Sequence, residues 1–153
     1  MDARGFTLIE LIVAIAIGAI LATIAVPGFT SLIADQRAKA ASSELFESLL
    51  TARSEAITRN ASVSLTPVAG GWDGGWQVLD PANQTNVLDD HGALTGVVIQ
   101  GPTAAVTYEA SGRLLAGTAP VFLVTATAGS AVFSQCLSVD LTGRPYLVEG
   151  TTC

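Results

Sequence analysis

This sequence carries almost nothing with which to do chemistry on a substrate: one histidine, His91, and two cysteines, Cys136 and Cys153. A Ser-His-Asp arrangement would have to use His91 as its base, and nothing recommends that residue beyond its place in an Asp89-Asp90-His91-Gly92 stretch read as a solvated turn. Metal chemistry is equally poorly supplied. Asp89, Asp90 and His91 are adjacent, so their side chains point in different directions, whereas calcium loops space their ligands. Two cysteines without a nearby histidine are too few for a metal cluster, and a disulfide between Cys136 and Cys153 is the simplest reading. It would pin the C-terminus, contribute roughly 3 kcal/mol on the chain-entropy account, and require an oxidising compartment. The expectation is a protein with no enzymatic activity, no cofactor and no metal.

Positive charge is also scarce. Seven Lys and Arg stand against thirteen Asp and Glu, for a net charge of -6. Beyond Asn60 the only cations are Arg113 and Arg144, facing Asp73, Asp80, Asp89, Asp90, Glu109, Asp140 and Glu149. Such a surface repels phosphate backbones, so tight nucleic-acid binding is not favoured. Neither a low-complexity tract nor a convincing internal repeat is visible. The Thr/Ala/Gly-rich stretches near Gly117 and Gly129 are expected to be mobile loops.

What is present in excess is apolar length. From Phe6 to Ile33 the single charged residue is Glu10, and a helix of that length spans the ~30 Å hydrocarbon core of a bilayer. The run is longer than the apolar core of a signal peptide, and too apolar all round for the core helix of so small a soluble protein. A carboxylate near the start of a spanning helix is costly and points to a function with a cationic partner. Arg4 ahead of the run favours a cytoplasmic N-terminus. Pro27-Gly28 predicts a kink or local melting late in this helix.

Residues 34–60 keep the helical habit but become amphipathic. Leu45, Leu49, Ala52 and Ala56 form a stripe, while Arg37, Lys39, Glu44, Glu47, Arg53 and Glu55 can face water. The stripe predicts packing against a sheet. Residues 61–153 change to short β-favouring runs at 63–65, 76–79, 97–100, 106–108, 121–127, 131–139 and 145–148, separated by glycine, proline and aspartate turns. Trp72 and Trp76, flanking glycine turns, are read as core plugs rather than as an exposed stacking platform. The predicted class is α+β: a long N-terminal helix, half membrane-spanning and half amphipathic, on a mainly antiparallel sheet head.

Gly5-Phe6-Thr7-Leu8-Ile9-Glu10-Leu11 resembles the type IV prepilin signature. The resemblance implies cleavage by a prepilin peptidase between Gly5 and Phe6, methylation of the new Phe6 amino terminus, and pairing of that ammonium with a Glu10 carboxylate during assembly. It divides the chain into a leader, 1–5, an assembly helix, 6–33, and a periplasmic head, 34–153. Pro27 lies where pilins adjust their helix for packing.

The stretch Ala52 to Asn60, followed by Gly71-Trp72 and Gly75-Trp76-Gln77-Val78, resembles the FimT/FimU minor pilins and GspH-type minor pseudopilins. This implies a structural subunit of a type IV pilus, nearer FimU, acting in assembly initiation or at the tip. Its partners would be other pilins and an inner-membrane assembly platform. The alternatives are a pseudopilin of type II secretion and a FimT-like DNA receptor. In the DNA reading Arg144, within Gly143-Arg144-Pro145-Tyr146, and Arg113 would contact phosphate, although Tyr146 stands where a second arginine is expected.

Overall fold

A computed structural model describes residues 7–115, 117–148 and 153, with the backbone alone at 24–27. One helix, α1, runs without interruption over Leu8–Arg59. Its first half is apolar on all sides, with a mean hydropathy of 2.6 over 18 residues and no part of that stretch buried. Its second half carries the stripe anticipated from sequence, with Leu45, Leu49, Ala52 and Ala56 all fully buried. The helix ends at Asn60, whose φ of 50° places it in the left-handed region, and whose N–H returns to the carbonyls of Ala56 and Ile57. Asparagine is among the few residues that adopt this conformation at a helix end.

The local melting expected at Pro27-Gly28 is not found, because α1 continues through both residues. Proline holds φ near its helical value and withdraws a single donor, so the turns on either side carry the helix across.

Among the described residues eight strands follow, in two four-stranded antiparallel sheets. The first sheet has the order β3-β2-β1-β5, from Val87–His91, Trp76–Leu79, Val63–Pro67 and Val106–Tyr108. The second has the order β4-β6-β7-β8, from Val98–Gln100, Val121–Ala128, Ala131–Val139 and Pro145–Val148. The amphipathic half of α1 lies across both sheets, meeting β6 and β7 of one and β1 of the other. Alternation sets the buried face: Phe122, Val124 and Ala126 point inward from β6, and Val63 and Leu65 from β1.

Trp72 and Trp76 are both buried, as expected of core residues. Trp76 donates its indole N–H to Ser48 Oγ on α1 at 2.8 Å. Trp72 donates to the Pro102 carbonyl at 2.8 Å and meets Phe122 edge to face, with centroids 4.8 Å apart. Each indole therefore fills apolar space while its one polar atom is satisfied.

One reading of the sequence is corrected. Asp89, Asp90 and His91 are not a solvated turn: they lie on the edge strand β3, paired with β2, where His91 opposes Trp76 and Asp90 opposes Gln77. The imidazole stacks on Trp76 at 4.2 Å and its Nε2 is 3.1 Å from Glu44 Oε2 on α1, while Gln77 donates to Asp90 at 2.9 Å. These partners offset the low strand propensity of the Asp-Asp pair. Gly129, expected in a loop, lies in a tight hairpin turn. With Ser130 it forms the two-residue turn of the β6–β7 hairpin, closed by Ala128 opposite Ala131, and its φ of 60° suits the first position of such a turn.

Candidate functional site

The first candidate is the start of α1. Thr7 is the N-cap, and with Glu10 it forms a capping box. The Glu10 N–H donates to Thr7 Oγ1 at 3.3 Å, while Glu10 Oε2 accepts from the Thr7 N–H and hydroxyl, each at 3.2 Å. The carboxylate is thus folded back toward the chain end, beside the peptide nitrogen that follows Phe6. Capping serves two donors that the helix leaves unsatisfied. Gly5 and Phe6 themselves lie outside the described residues, as does the Pro27 side chain.

The second candidate joins three residues that the sequence keeps far apart. Glu109-Ala110-Ser111-Gly112-Arg113 follows β5, and Asp140-Leu141-Thr142-Gly143-Arg144 links β7 to β8. Both read acid, any residue, hydroxyl, glycine, arginine, and both fold alike. In each, the glycine N–H donates to the carbonyl of the acidic residue at 2.8 Å, and the acidic residue's N–H donates to the arginine carbonyl, at 2.8 Å in the first and 3.0 Å in the second. The glycines take φ of 73° and 85°, the left-handed position after a type I turn. The repeat escapes a search for long internal similarity because it is only five residues long.

The two turns stand back to back. A Cβ on Gly143 would overlap the carbonyl oxygen of Gly112 and would press on the ring of the buried Tyr108. Arg53 closes the arrangement from α1, donating from Nε to the Gly112 carbonyl at 3.0 Å and from Nη2 to the Thr142 carbonyl at 3.4 Å. Arg53, on the side of α1 that can face water, is half-buried, because these two carbonyls replace part of its solvent. The consequence is that Arg113 and Arg144, read separately from the sequence, project from adjoining turns at one end of the head. Arg144 Nε is 3.6 Å from Asp140 Oδ2, and in the first turn Glu109 accepts from the Ser111 hydroxyl.

The Asp140 carboxyl is held below the usual carboxylate range, first by the Thr142 hydroxyl and then by the Arg144 N–H. Asp80 is lowered in the same sense by the Ala82 N–H and the Asn86 amide, with Arg59 adding to it. Groups with a lowered folded pKa stabilise the fold above their unfolded value of about 4, and that contribution disappears as pH falls through the folded value. Urea midpoints followed from pH 6 to pH 2 should therefore drop, and Asp140→Asn, which keeps an acceptor without the charge, should flatten the acid limb. An unchanged slope would remove Asp140 from the account.

The head and the α1 start are separately matched by known families. The family described as type II transport protein GspH matches residues 41–143, more than half of the chain. The chain belongs to the GspH family. A second match, to the prokaryotic N-terminal methylation motif, covers residues 1–26 and so includes Gly5, Phe6 and Glu10. This GspH-family chain is therefore a pilin-type subunit with an N-terminal methylation motif.

Two crystal structures of the type IV minor pilin FimU from Pseudomonas aeruginosa strain PAO1, in space groups P21 and P65, share its fold at 23% identity and a TM-score of 0.61. The superposition covers 75% of this chain and 90% or 94% of theirs. No curated protein sequence matches the chain significantly. Cys136 and Cys153 of this GspH-family head are joined in a disulfide, which ties the last residue to β7. Among the described residues no group of three or more His, Cys, Asp or Glu side chains converges as a metal site would require.

Proposed function

We propose that the chain is a minor, non-catalytic subunit of a type IV pilus, serving in assembly initiation or at the filament tip. The observation that carries this reading is the combination of a methylation motif over residues 1–26 with a head whose fold superposes on nearly the whole of the minor pilin FimU. A prepilin peptidase would cut between Gly5 and Phe6, leaving a leader of residues 1–5. The helix of 6–33 would hold the subunit in the inner membrane, with the N-terminus cytoplasmic and the head of 34–153 periplasmic. There the disulfide is stable because the compartment is oxidising.

In this scheme the Phe6 ammonium pairs with a Glu10 carboxylate of its own or a neighbouring chain. The capping box supports it, since it turns the carboxylate back onto the Thr7 N–H, one residue along the chain from the amine that cleavage would create. Extraction from the membrane then buries both charges together rather than one alone. The assembly platform and the other pilins supply the remaining contacts.

A second reading, a minor pseudopilin of type II secretion, is favoured by the description of the matching family as a type II transport protein. A deletion strain complemented with the wild-type chain separates the readings. Restored surface pili, with the chain present in sheared filaments, supports the pilus subunit. Restored protein secretion with pili unaffected throughout assigns the chain to the secretion machine, and restored DNA uptake alone assigns it to a receptor role.

A further inference from the structure

Between Glu10 and the first α1 residue that the head buries, Ala34, lie 23 residues without a charge. At 1.5 Å per residue they measure about 35 Å, against a hydrocarbon core of ~30 Å. The head follows this run without a spacer: Ile33 ends the apolar stretch and Ala34 is already packed. With Glu10 at the cytoplasmic boundary, the near end of the head reaches the headgroup layer. The surplus length is taken up by tilt, which lowers one side of the head further.

Contacts to α1 fix which part of the head lies there. Arg53 meets the Gly112 and Thr142 carbonyls, so the link between β7 and β8 lies toward the far end of α1. Nearer the apolar half, the Arg37 guanidinium lies against Gly96, where a Cβ would stand 2.8 Å from its Nη1. From Val139 to Ala131 β7 descends about 26 Å, and from Arg53 to Arg37 α1 descends about 24 Å. The Gly129-Ser130 turn between β6 and β7 therefore comes down level with Arg37. Strand pairing agrees, since Val98, two residues from Gly96, sits opposite Thr125 near the end of β6.

The sheet that reaches this end is uncharged. β4, β6, β7 and β8 contain no Asp, Glu, Lys, Arg or His, whereas the other sheet carries Asp89 and Asp90 on its edge. Val124 and Ala126 face inward, so Val98, Thr125, Thr127 and Val132 share the outer face. Val98 is 52% exposed and Val132 60%. On the adjoining turns of α1, Asp35 is paired with Lys39 at 2.7 Å, and the exposed Arg37 adds a cation at headgroup depth. Exposed valines without charge, beside a cation, suit a phospholipid interface. Continuity with the apolar helix selects the bilayer over a protein partner.

Resting on the membrane-anchored reading, we propose that before assembly the head lies against the periplasmic leaflet. The contact is made by the β6–β7 turn and the Val98–Val132 face, with Arg37 toward the lipid phosphates. Extraction into a filament then has to part this contact as well as withdraw the helix.

The test uses the full chain, reconstituted sparsely into vesicles of phosphatidylethanolamine and phosphatidylglycerol. A fluorescent amino acid is placed at Ser130 or, as the reference, at the exposed Gln84. Gln84 lines the same cleft as Asp80, which pairs with Arg59 at the far end of α1. A lipid with a headgroup nitroxide should quench position 130 about threefold or more strongly than position 84, since a segment seated in the interface lies within about 5–10 Å of the label. Val98→Asp/Val132→Asp should remove that difference, while the chain still floats with the vesicles after alkaline carbonate and keeps its tryptophan emission. Equal quenching at the two positions overturns the proposal, as does a difference that survives in the double variant. Photo-crosslinks from position 132 that join two copies of the chain, rather than chain to lipid, assign the face to a neighbouring subunit and overturn it too. Failure of the wild-type chain to float with the vesicles overturns the spanning helix, and this proposal with it.

Discussion

Replacing Glu10 by alanine is expected to reduce the chain found in sheared filaments by roughly a hundredfold to several thousandfold while leaving its membrane level near normal. On the proposed pairing with the Phe6 ammonium, one charge of a buried pair would be left without its partner, which costs about 3–5 kcal/mol, with each 1.4 kcal/mol worth a factor of ten. Alanine also removes the capping interaction with Thr7, so it cannot by itself distinguish a lost charge from a lost helix cap. Glu10→Gln does so. The glutamine oxygen can still accept from the Thr7 N–H and hydroxyl, but it carries no charge to offset an ammonium. If the charge pair governs assembly, Gln should fall nearly as far as Ala. If Gln assembles like the wild type, Glu10 is a helix cap and the charge-pairing scheme is wrong. Mass measurement of the N-terminal peptide in each strain separates failure of cleavage or methylation from failure of assembly.

Gly143→Ala should be the most damaging single-methyl change in the head, lowering its stability by about 2–5 kcal/mol. Two costs add. At φ of 85° an L side chain is strained by roughly 1–2 kcal/mol, and forcing volume into a filled space costs about 1–3 kcal/mol more. The obstruction is the backbone carbonyl of Gly112, which cannot rotate aside as a side chain would. The substitution pushes the turns apart, so the Arg53 hydrogen bonds to Gly112 and Thr142 should weaken together. Gly92→Ala is the control, because its Cβ would meet nothing within 4 Å; its effect should stay within about 0.5 kcal/mol. Denaturant unfolding of the full chain in detergent, followed by tryptophan emission from the buried Trp72 and Trp76, measures both. Equal midpoints for the two variants would show that the turns are not in contact.

Much of the architecture was legible in the residues. The stripe of Leu45, Leu49, Ala52 and Ala56 announces its buried face, because helical spacing lines these side chains up whatever they pack against. The runs 76–79, 106–108, 131–139 and 145–148 coincide with strands because β-branched and aromatic residues between turn-formers leave few other options. The strand at Val87–His91 was not legible, since Asp89 and Asp90 disfavour a sheet until Gln77, Trp76 and Glu44 supply partners. The role of Arg53 was not legible for a related reason. Its partners lie 59 and 89 residues further along the chain, and an arginine on a helix looks the same whether it meets water or a distant carbonyl.

A helix long and apolar enough to span a membrane, with Glu10 as the one charge between Phe6 and Ile33, its amphipathic continuation and the β-rich acidic head were all legible in the residues, because each rests on periodicity and composition over neighbouring positions. That the chain makes two sheets rather than one, and that a five-residue pattern used twice is brought back to back, emerges from long-range packing alone. That packing alone placed the turns that carry Arg113 and Arg144 side by side. Those outcomes depend on backbone approaching backbone between glycines 31 residues apart, a contact that leaves no periodic trace because glycine contributes no side chain to pattern.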